Sequence, residues 1–359
     1  MRAAQTHASL GVAHSDVVDS VDVDFVLTPY HPPADLTLHG PVRCEAARGL
    51  HVVFFVPGLG GHYTNLRLVR AAIKTHHPSI LCVNARCAEG TVSEGDIVAS
   101  GIALADEIVD AVEALEQQQR PVTAISFVAF SLGGIFTRIA MRTARLSPLL
   151  ARANAFFTIA TPHLGLPASA QASAPARFFE GLGRAAGLAL VRATGRLRVL
   201  EQLSLSDGGE TAVPIIERLT RGWTRESAAA DDPLIDARPN AAVLSAFRTV
   251  ALLASPQDGY SPHRSALAWS GAFWDGLSAR TRVVRAVVHW RGGADGGGRG
   301  ADEATSAAFS LSAVRSAVGT AVLGAYDVVS GRAGHTAFLD SEAVGEFLAL
   351  APELEDVWA

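Results

Sequence analysis

The run Ala129-Phe130-Ser131-Leu132-Gly133-Gly134 puts a serine where a nine-residue apolar stretch gives way to a helical pattern. A nucleophile elbow needs small residues two before and two after the serine, because the chain turns too sharply for larger side chains. Gly133 meets the requirement, and Ala129 meets it with one extra methyl. Such a turn lifts Ser131 Oγ clear of a sheet and leaves the N–H of Leu132 at a helix N-terminus, aimed at a developing oxyanion. The small-x-Ser-x-Gly pattern is weak by itself, and an ordinary strand–turn–helix with a capping serine would also satisfy it. Its weight comes from the strand before it and the amphipathic helix after it.

The chemistry would be acyl transfer, and three further groups are needed. Pro57-Gly58-Leu59-Gly60-Gly61 follows the apolar run His51–Val56 and is placed to supply a second oxyanion donor, the N–H of Leu59. A simple Gly-rich turn at a strand end is the competing account. The acid is expected just past a later strand: Arg248–Ala254 is followed by Ser255-Pro256-Gln257-Asp258, which makes Asp258 the candidate. An Asp-Gly turn would read the same way, and Asp207, in Ser206-Asp207-Gly208, is the reserve. In the order Ser, Asp, His, only His263, His289 and His335 lie beyond Asp258. His263 is too close in sequence to fold back on the acid, and His289 sits inside an apolar strand. His335 lies in a loop before a final helix and is the candidate base. His62 and His163 lie near strand ends, where a lone histidine is more often structural.

The elements that must position these groups alternate. Continuous apolar runs at His51–Val56, Ser79–Asn84, Val122–Phe130, Ala155–Ala160, Arg248–Ala254 and Arg282–Trp290 read as strands buried on both faces. Helical patterns fall at Leu66–Lys74, Ile97–Gln118 and Leu132–Arg145. Val21–Leu27 reads as an edge strand and residues 1–20 as loose. This alternation predicts an α/β fold, a mostly parallel sheet with helices on both faces. Residues 165–245 lack a buried strand and are expected to form a helical cap, with Phe178, Phe179, Leu182, Leu188 and Leu190 as its apolar face. A mobile lid and a permanently packed insertion both fit. The segment 291–304 is Gly-rich without a phosphate-loop pattern and reads as a flexible loop.

Composition sets the outer bounds. The 359 residues carry 30 Lys plus Arg against 35 Asp plus Glu, a formal charge of −5, which disfavours a protein that grips nucleic-acid phosphates. Apolar residues make up 49% and charged residues 18%, so the chain can bury a large core and is not disordered. Cys44, Cys82 and Cys87 form no CxxC pair, and neither a disulfide framework nor a zinc site is indicated. No secretory h-region is present, and Ser316–Val329 is too short to span a bilayer. The expectation is a cytoplasmic protein that could touch a membrane or lipid-droplet surface transiently.

Six segments in order, HVVFFVPGLGG (51–61), NLRLVR (65–70), SFVAFSLGG (126–134), FFTIATPHLG (156–165), LLASPQDGYSPHRSA (252–266) and SGRAGHTAFLDSE (330–342), resemble the lipase-like family of α/β hydrolases described as putative serine esterases. The resemblance covers about 51 to 350. It implies the α/β-hydrolase fold as a single domain (core about 20–164 and 246–359, cap about 165–245), with nucleophile Ser131, acid Asp258 and base His335. Relatives usually have His-Gly-Leu where this chain has Pro57-Gly58-Leu59, and Gly-His-Ser where it has Ala129-Phe130-Ser131. The implied function is a serine esterase or lipase cleaving carboxylic esters, with a small-molecule or lipid ester as substrate and no cofactor or metal. Two alternatives share the residues: a catalytically weak relative that binds a lipid or protein, and an acyltransferase or thioesterase.

Overall fold

The computed structural model describes residues 10–12, 18–24, 49–87, 89, 96–166, 197–208, 213–223, 234, 236–258, 260–291, 335–339 and 341–358. Eight strands form one sheet: β1 (Leu10–Val12), β2 (Val18–Asp24), β3 (Leu50–Val56), β4 (Leu81–Asn84), β5 (Val122–Phe130), β6 (Ala153–Ile159), β7 (Thr249–Ala254) and β8 (Arg282–Arg291). Their order is β1-β2-β8-β7-β6-β5-β3-β4, and every neighbouring pair is parallel except β1 with β2. The apolar runs become strands because their residues are buried on both sides. In β3, Val52, Phe54 and Val56 face one core layer while Val53 and Phe55 face the other. In β7, Val250, Leu252 and Ala254 divide from Ala251 and Leu253 in the same way.

Helices cover both faces. On one lie α2 (Ile97–Gln117) and α3 (Leu132–Ala140), whose buried residues share a core layer. On the other, α1 (Arg67–His76) packs with α9 (Glu342–Leu350) and the C-terminal α10 (Glu355–Trp358). Asp96 caps α2, its carboxylate accepting the N–H of Val98 at 2.6 Å and of Ala99 at 3.3 Å. Short helices α4 (Leu197–Leu203), α5 (Ile215–Arg221), α6 (Asn240–Leu244), α7 (His263–Ala266) and α8 (Gly271–Trp274) fill the rest.

Several expectations need correction. The strand expected at Val21–Leu27 begins at Val18 and is not an edge: it pairs with β8 on one side and β1 on the other. Residues 10–12 of the supposedly loose N-terminus supply that outer strand, because β2 offers them a ladder that local sequence cannot announce. The strand expected at Ser79–Asn84 is shorter and half-buried, since β4 closes the sheet with β3 as its one neighbour. The helix after Ser131 stops at Ala140, five residues before the expected end, and tight turns through Thr143 follow. The apolar cap residues 178–190, the Gly-rich segment from 292 and Ser316–Val329 lie outside the described residues. Among those described, no helix is long and apolar enough to cross a membrane.

The end of the sheet opposite the candidate site holds a half-buried histidine. His51 Nε2 lies 2.8 Å from Ser126 Oγ, and that hydroxyl accepts the N–H of Ala155 at 3.2 Å. The ring also stacks on Trp358, centroids 5.9 Å apart. Burial, assisted by the nearby His77, lowers the His51 pKa to about 4. Above pH 6.5 the group is neutral folded or unfolded. Below it the unfolded chain takes a proton that the folded chain refuses until about pH 4, so stability falls as pH drops through this window. Urea titrations at pH 7.5 and 4.5 should show His51→Gln losing less stability on acidification than the wild type, by about 2 kcal/mol.

Candidate active site

β5 delivers Ser131 and β3 delivers the Gly58 loop side by side, at the point where the strand order reverses between β5 and β3 with β4 beyond. Crevices outside the C-terminal ends of parallel strands at such a switch point are where open α/β sheets hold ligands. Ser131 adopts φ 53°, ψ −128°, a region that a non-glycine residue occupies only when its surroundings compel it. The turn is tight enough that α3 starts at the next residue. A Cβ at Gly133 would sit 2.4 Å from the Val56 carbonyl oxygen and 2.6 Å from that of Pro57. A Cβ at Gly58 would come within 2.8 Å of Ser131 Cβ. Two glycines thus let the Gly58 loop and the turn at Ser131 touch.

His335, in a short helical turn, reaches the same place. Its Nε2 is 2.9 Å from Ser131 Oγ, and its Nδ1 is 2.6 Å from Asp258 Oδ2. A carboxylate can only accept, so Nδ1–H donates to Asp258 and Nε2 is left to accept the serine hydroxyl proton. The other Asp258 oxygen accepts the N–H of Tyr260 at 2.8 Å and of Ser261 at 2.9 Å. Asp258 and His335 are both buried. Among the described residues, neither the Leu59 nor the Leu132 N–H meets a protein acceptor, so both are open to a bound oxygen.

The structure therefore brings Ser131, Asp258, His335 and the Gly58–Leu59 loop together, and it leaves the other candidates elsewhere. Asp207 Oδ2 accepts the N–H of Ile215 at 3.1 Å, anchoring α5, and burial raises its carboxyl pKa. His163 is fully buried, with Nε2 2.9 Å from Thr158 Oγ1, and burial drives its pKa well down. Its ring packs against those of Phe156 and Phe273. His62 lies exposed beside Thr64 and Tyr63. His263 packs its ring against Trp269. Among the described residues no cluster of His, Cys, Asp or Glu could hold a metal ion. Burial raises the thiol pKa of both Cys82 and Cys87, which disfavours thiolate chemistry there.

Neighbours of the site escaped the sequence reading. The Phe130 ring lies 4.8 Å from that of His335 and the Tyr260 ring 5.4 Å from it, so Phe130, at the position where relatives usually have histidine, lies against the imidazole. Arg138 and Arg142, one turn apart on and just past α3, are buried. Arg138 donates to Asn240 Oδ1, the His163 carbonyl and Thr220 Oγ1; Arg142 donates to the carbonyls of Asp236, Arg238 and Leu219. Desolvation pushes both guanidinium pKa values down, Arg142 to about 10. An arginine pair at i, i+4 in an otherwise apolar helix was the available signal.

The family model described as "Putative serine esterase" matches residues 46–271, well over half the chain. The chain belongs to that family. Its sheet order and elbow are those of the α/β-hydrolase fold, and the esterase family is one of serine hydrolases. Ser131 and Asp258 fall inside the matched region and His335 beyond it. Lipase B of Aspergillus fumigatus aligns over 46% of this chain and 36% of its own at 16% identity, TM-score 0.27. Carboxyl esterase 2 of the mycorrhizal fungus Tuber melanosporum aligns over 84% and 79% at 12% identity, TM-score 0.39. A thioesterase from the prodiginine pathway of Streptomyces coelicolor aligns over 68% and 84% at 15% identity, TM-score 0.34. The chain spans about a third of the length of that lipase, and with TM-scores below 0.5 these likenesses have no bearing on the esterase site.

The glycine requirement at the elbow is directly measurable. Gly133→Ala should lower stability by about 1–3 kcal/mol through overpacking against two carbonyls, read as a shifted urea midpoint. Gly271→Ala, where a Cβ meets nothing within 4 Å, should leave the midpoint nearly unchanged.

Proposed function

We propose that this member of the esterase family hydrolyses carboxylic esters, with lipid acyl esters as the substrate class, through a Ser131-Asp258-His335 triad. The observation that carries the reading is the relay itself: hydroxyl to imidazole at 2.9 Å and imidazole to carboxylate at 2.6 Å, at the mouth of the sheet. Ser131 Oγ attacks the ester carbonyl carbon while His335 Nε2 takes its proton. Asp258 keeps the imidazole in the tautomer that can accept and stabilises the imidazolium that forms. The carbonyl oxygen, now negative, is received by the N–H groups of Leu59 and Leu132, each such donor being worth about 3–4 kcal/mol in comparable sites. His335 then returns the proton to the departing alkoxide, leaving Ser131 acylated. Water, deprotonated by His335, attacks the acyl carbon, and collapse releases the acid and restores the serine.

The apolar character of the acyl group is argued from the walls. Tyr260 flanks His335, and Leu59 lies in the loop beside the serine. Hydrocarbon packs on such surfaces more favourably than a charged or sugar group would. The described part of the 165–245 insertion is read as a fixed buttress, because Arg138 and Arg142 hold α5, α6 and residues 236–238 through buried hydrogen bonds.

Hydrolysis of p-nitrophenyl acetate and p-nitrophenyl palmitate should be readily measurable for the wild type and fall at least about 10³-fold in Ser131→Ala. Asp258→Asn should lower kcat by about 10⁴-fold with the protein still folded. Wild-type turnover that survives Ser131→Ala would refute the assignment.

A further inference from the structure

Both backbone groups of Ser131 are claimed by the end of β6. Its N–H donates to the Ile159 carbonyl at 2.8 Å, and its carbonyl accepts the hydroxyl of Thr161 at 2.8 Å. The second bond matters for a donor that Thr161 never touches. The carbonyl of Ser131 and the N–H of Leu132 belong to one peptide unit. That unit is planar and trans, with no cis bond among the described residues, so the two groups point in opposite directions. Whatever pins the Ser131 oxygen on one side aims the Leu132 N–H on the other.

Thr161 is well placed to act as that pin. Its side chain is fully buried, and it lies so close to the first turn of α3 that a Cβ at Gly134 would come within 2.4 Å of its Oγ1. Its own backbone is braced on both sides: the N–H of Ala160, at φ 52°, donates to the Leu253 carbonyl at 2.8 Å, and the Thr161 carbonyl accepts the N–H of His163 at 2.8 Å. Among the described residues, the one other donor to the Ser131 oxygen is the Gly134 N–H, at 3.2 Å, which turns with the helix and cannot fix the peptide independently of it.

We propose that Thr161 is a positioning residue for ester hydrolysis, its hydroxyl orienting the Ser131–Leu132 peptide so that the Leu132 N–H faces the oxyanion. The inference rests on the reading of Ser131 as nucleophile. An oxyanion donor acts in the transition state and not in ground-state binding, so its misalignment should lower kcat and kcat/KM together. A merely structural contribution would instead lower the fraction of competent molecules.

The test is p-nitrophenyl ester hydrolysis by full-length wild type, Thr161→Val and Thr161→Ser, with rates normalised to Ser131 titrated by a fluorophosphonate. Thr161→Val keeps the shape and removes the hydroxyl. It should lose about tenfold or more in both kcat and kcat/KM per titrated site. Thr161→Ser keeps the hydroxyl and should stay within about threefold of wild type. If the valine variant does not fold, Thr161→Ala against Thr161→Ser reads the same hydroxyl. Normalised rates for the hydroxyl-less variant within twofold of wild type, or an equal loss in the serine variant, would overturn the inference and leave the nucleophile assignment standing. A wild type that neither reacts with the fluorophosphonate nor turns over the ester would overturn both.

Discussion

At Ser131 the chain passes from strand to helix within one residue, in a backbone conformation that costs a non-glycine residue of the order of 1–3 kcal/mol. The surrounding structure holds it there. β6 takes the serine N–H and, through Thr161, its carbonyl. Gly133 lets α3 begin against the carbonyls that end β3, and Gly58 lets the following loop lie on the serine itself. Every other feature of the candidate site follows from this reversal. It exposes Oγ to His335, opens α3 with the Leu132 N–H free, and fixes the distance to the Leu59 loop. The parallel order β6-β5-β3 is what allows three separate strand ends to meet at one point.

The helix after Ser131 is held just as firmly from its far end. Arg138 and Arg142 put two guanidinium groups in the interior, bonded to carbonyls, a hydroxyl and an amide and faced by the rings of Phe273 and Trp223, while the Arg142 Nε–H meets no acceptor among the described residues. Burying a cation is costly unless hydrogen bonds offset the lost water, so the segments that supply those acceptors cannot move away cheaply. This ties Leu219, Thr220, Asp236, Arg238 and Asn240 to the helix that follows Ser131. It also explains why the helix ends early: the chain must turn at 141–143 for the Arg142 carbonyl and side chain to meet 236–238.

Much of this was legible in the residues. Strands buried on both faces are continuous apolar runs, so β3, β5, β6, β7 and β8 could be read within a residue or two. Ser131, Asp258 and His335 stand out from strand-end positions and chain order alone. What escaped were features decided by distant partners. The alternation from Val21 announced a strand, but its start at Val18 and the outer strand β1 depend on β8 and β2 as neighbours, and nothing within residues 10–20 announces them. Phe130, at the position where relatives usually have histidine, lies against the base. Thr161, in an unremarkable Ala-Thr-Pro, acquires its role through a serine thirty residues earlier.

The central claim is that Ser131 is the activated nucleophile, and the most direct measurement is mass-spectrometric mapping of the site that a fluorophosphonate modifies on the folded protein. The account predicts one adduct, on the peptide bearing Ser131, with labelling strongly slowed in His335→Ala because no imidazole remains to take the hydroxyl proton. An adduct on a different serine, or none on a folded protein, would contradict it.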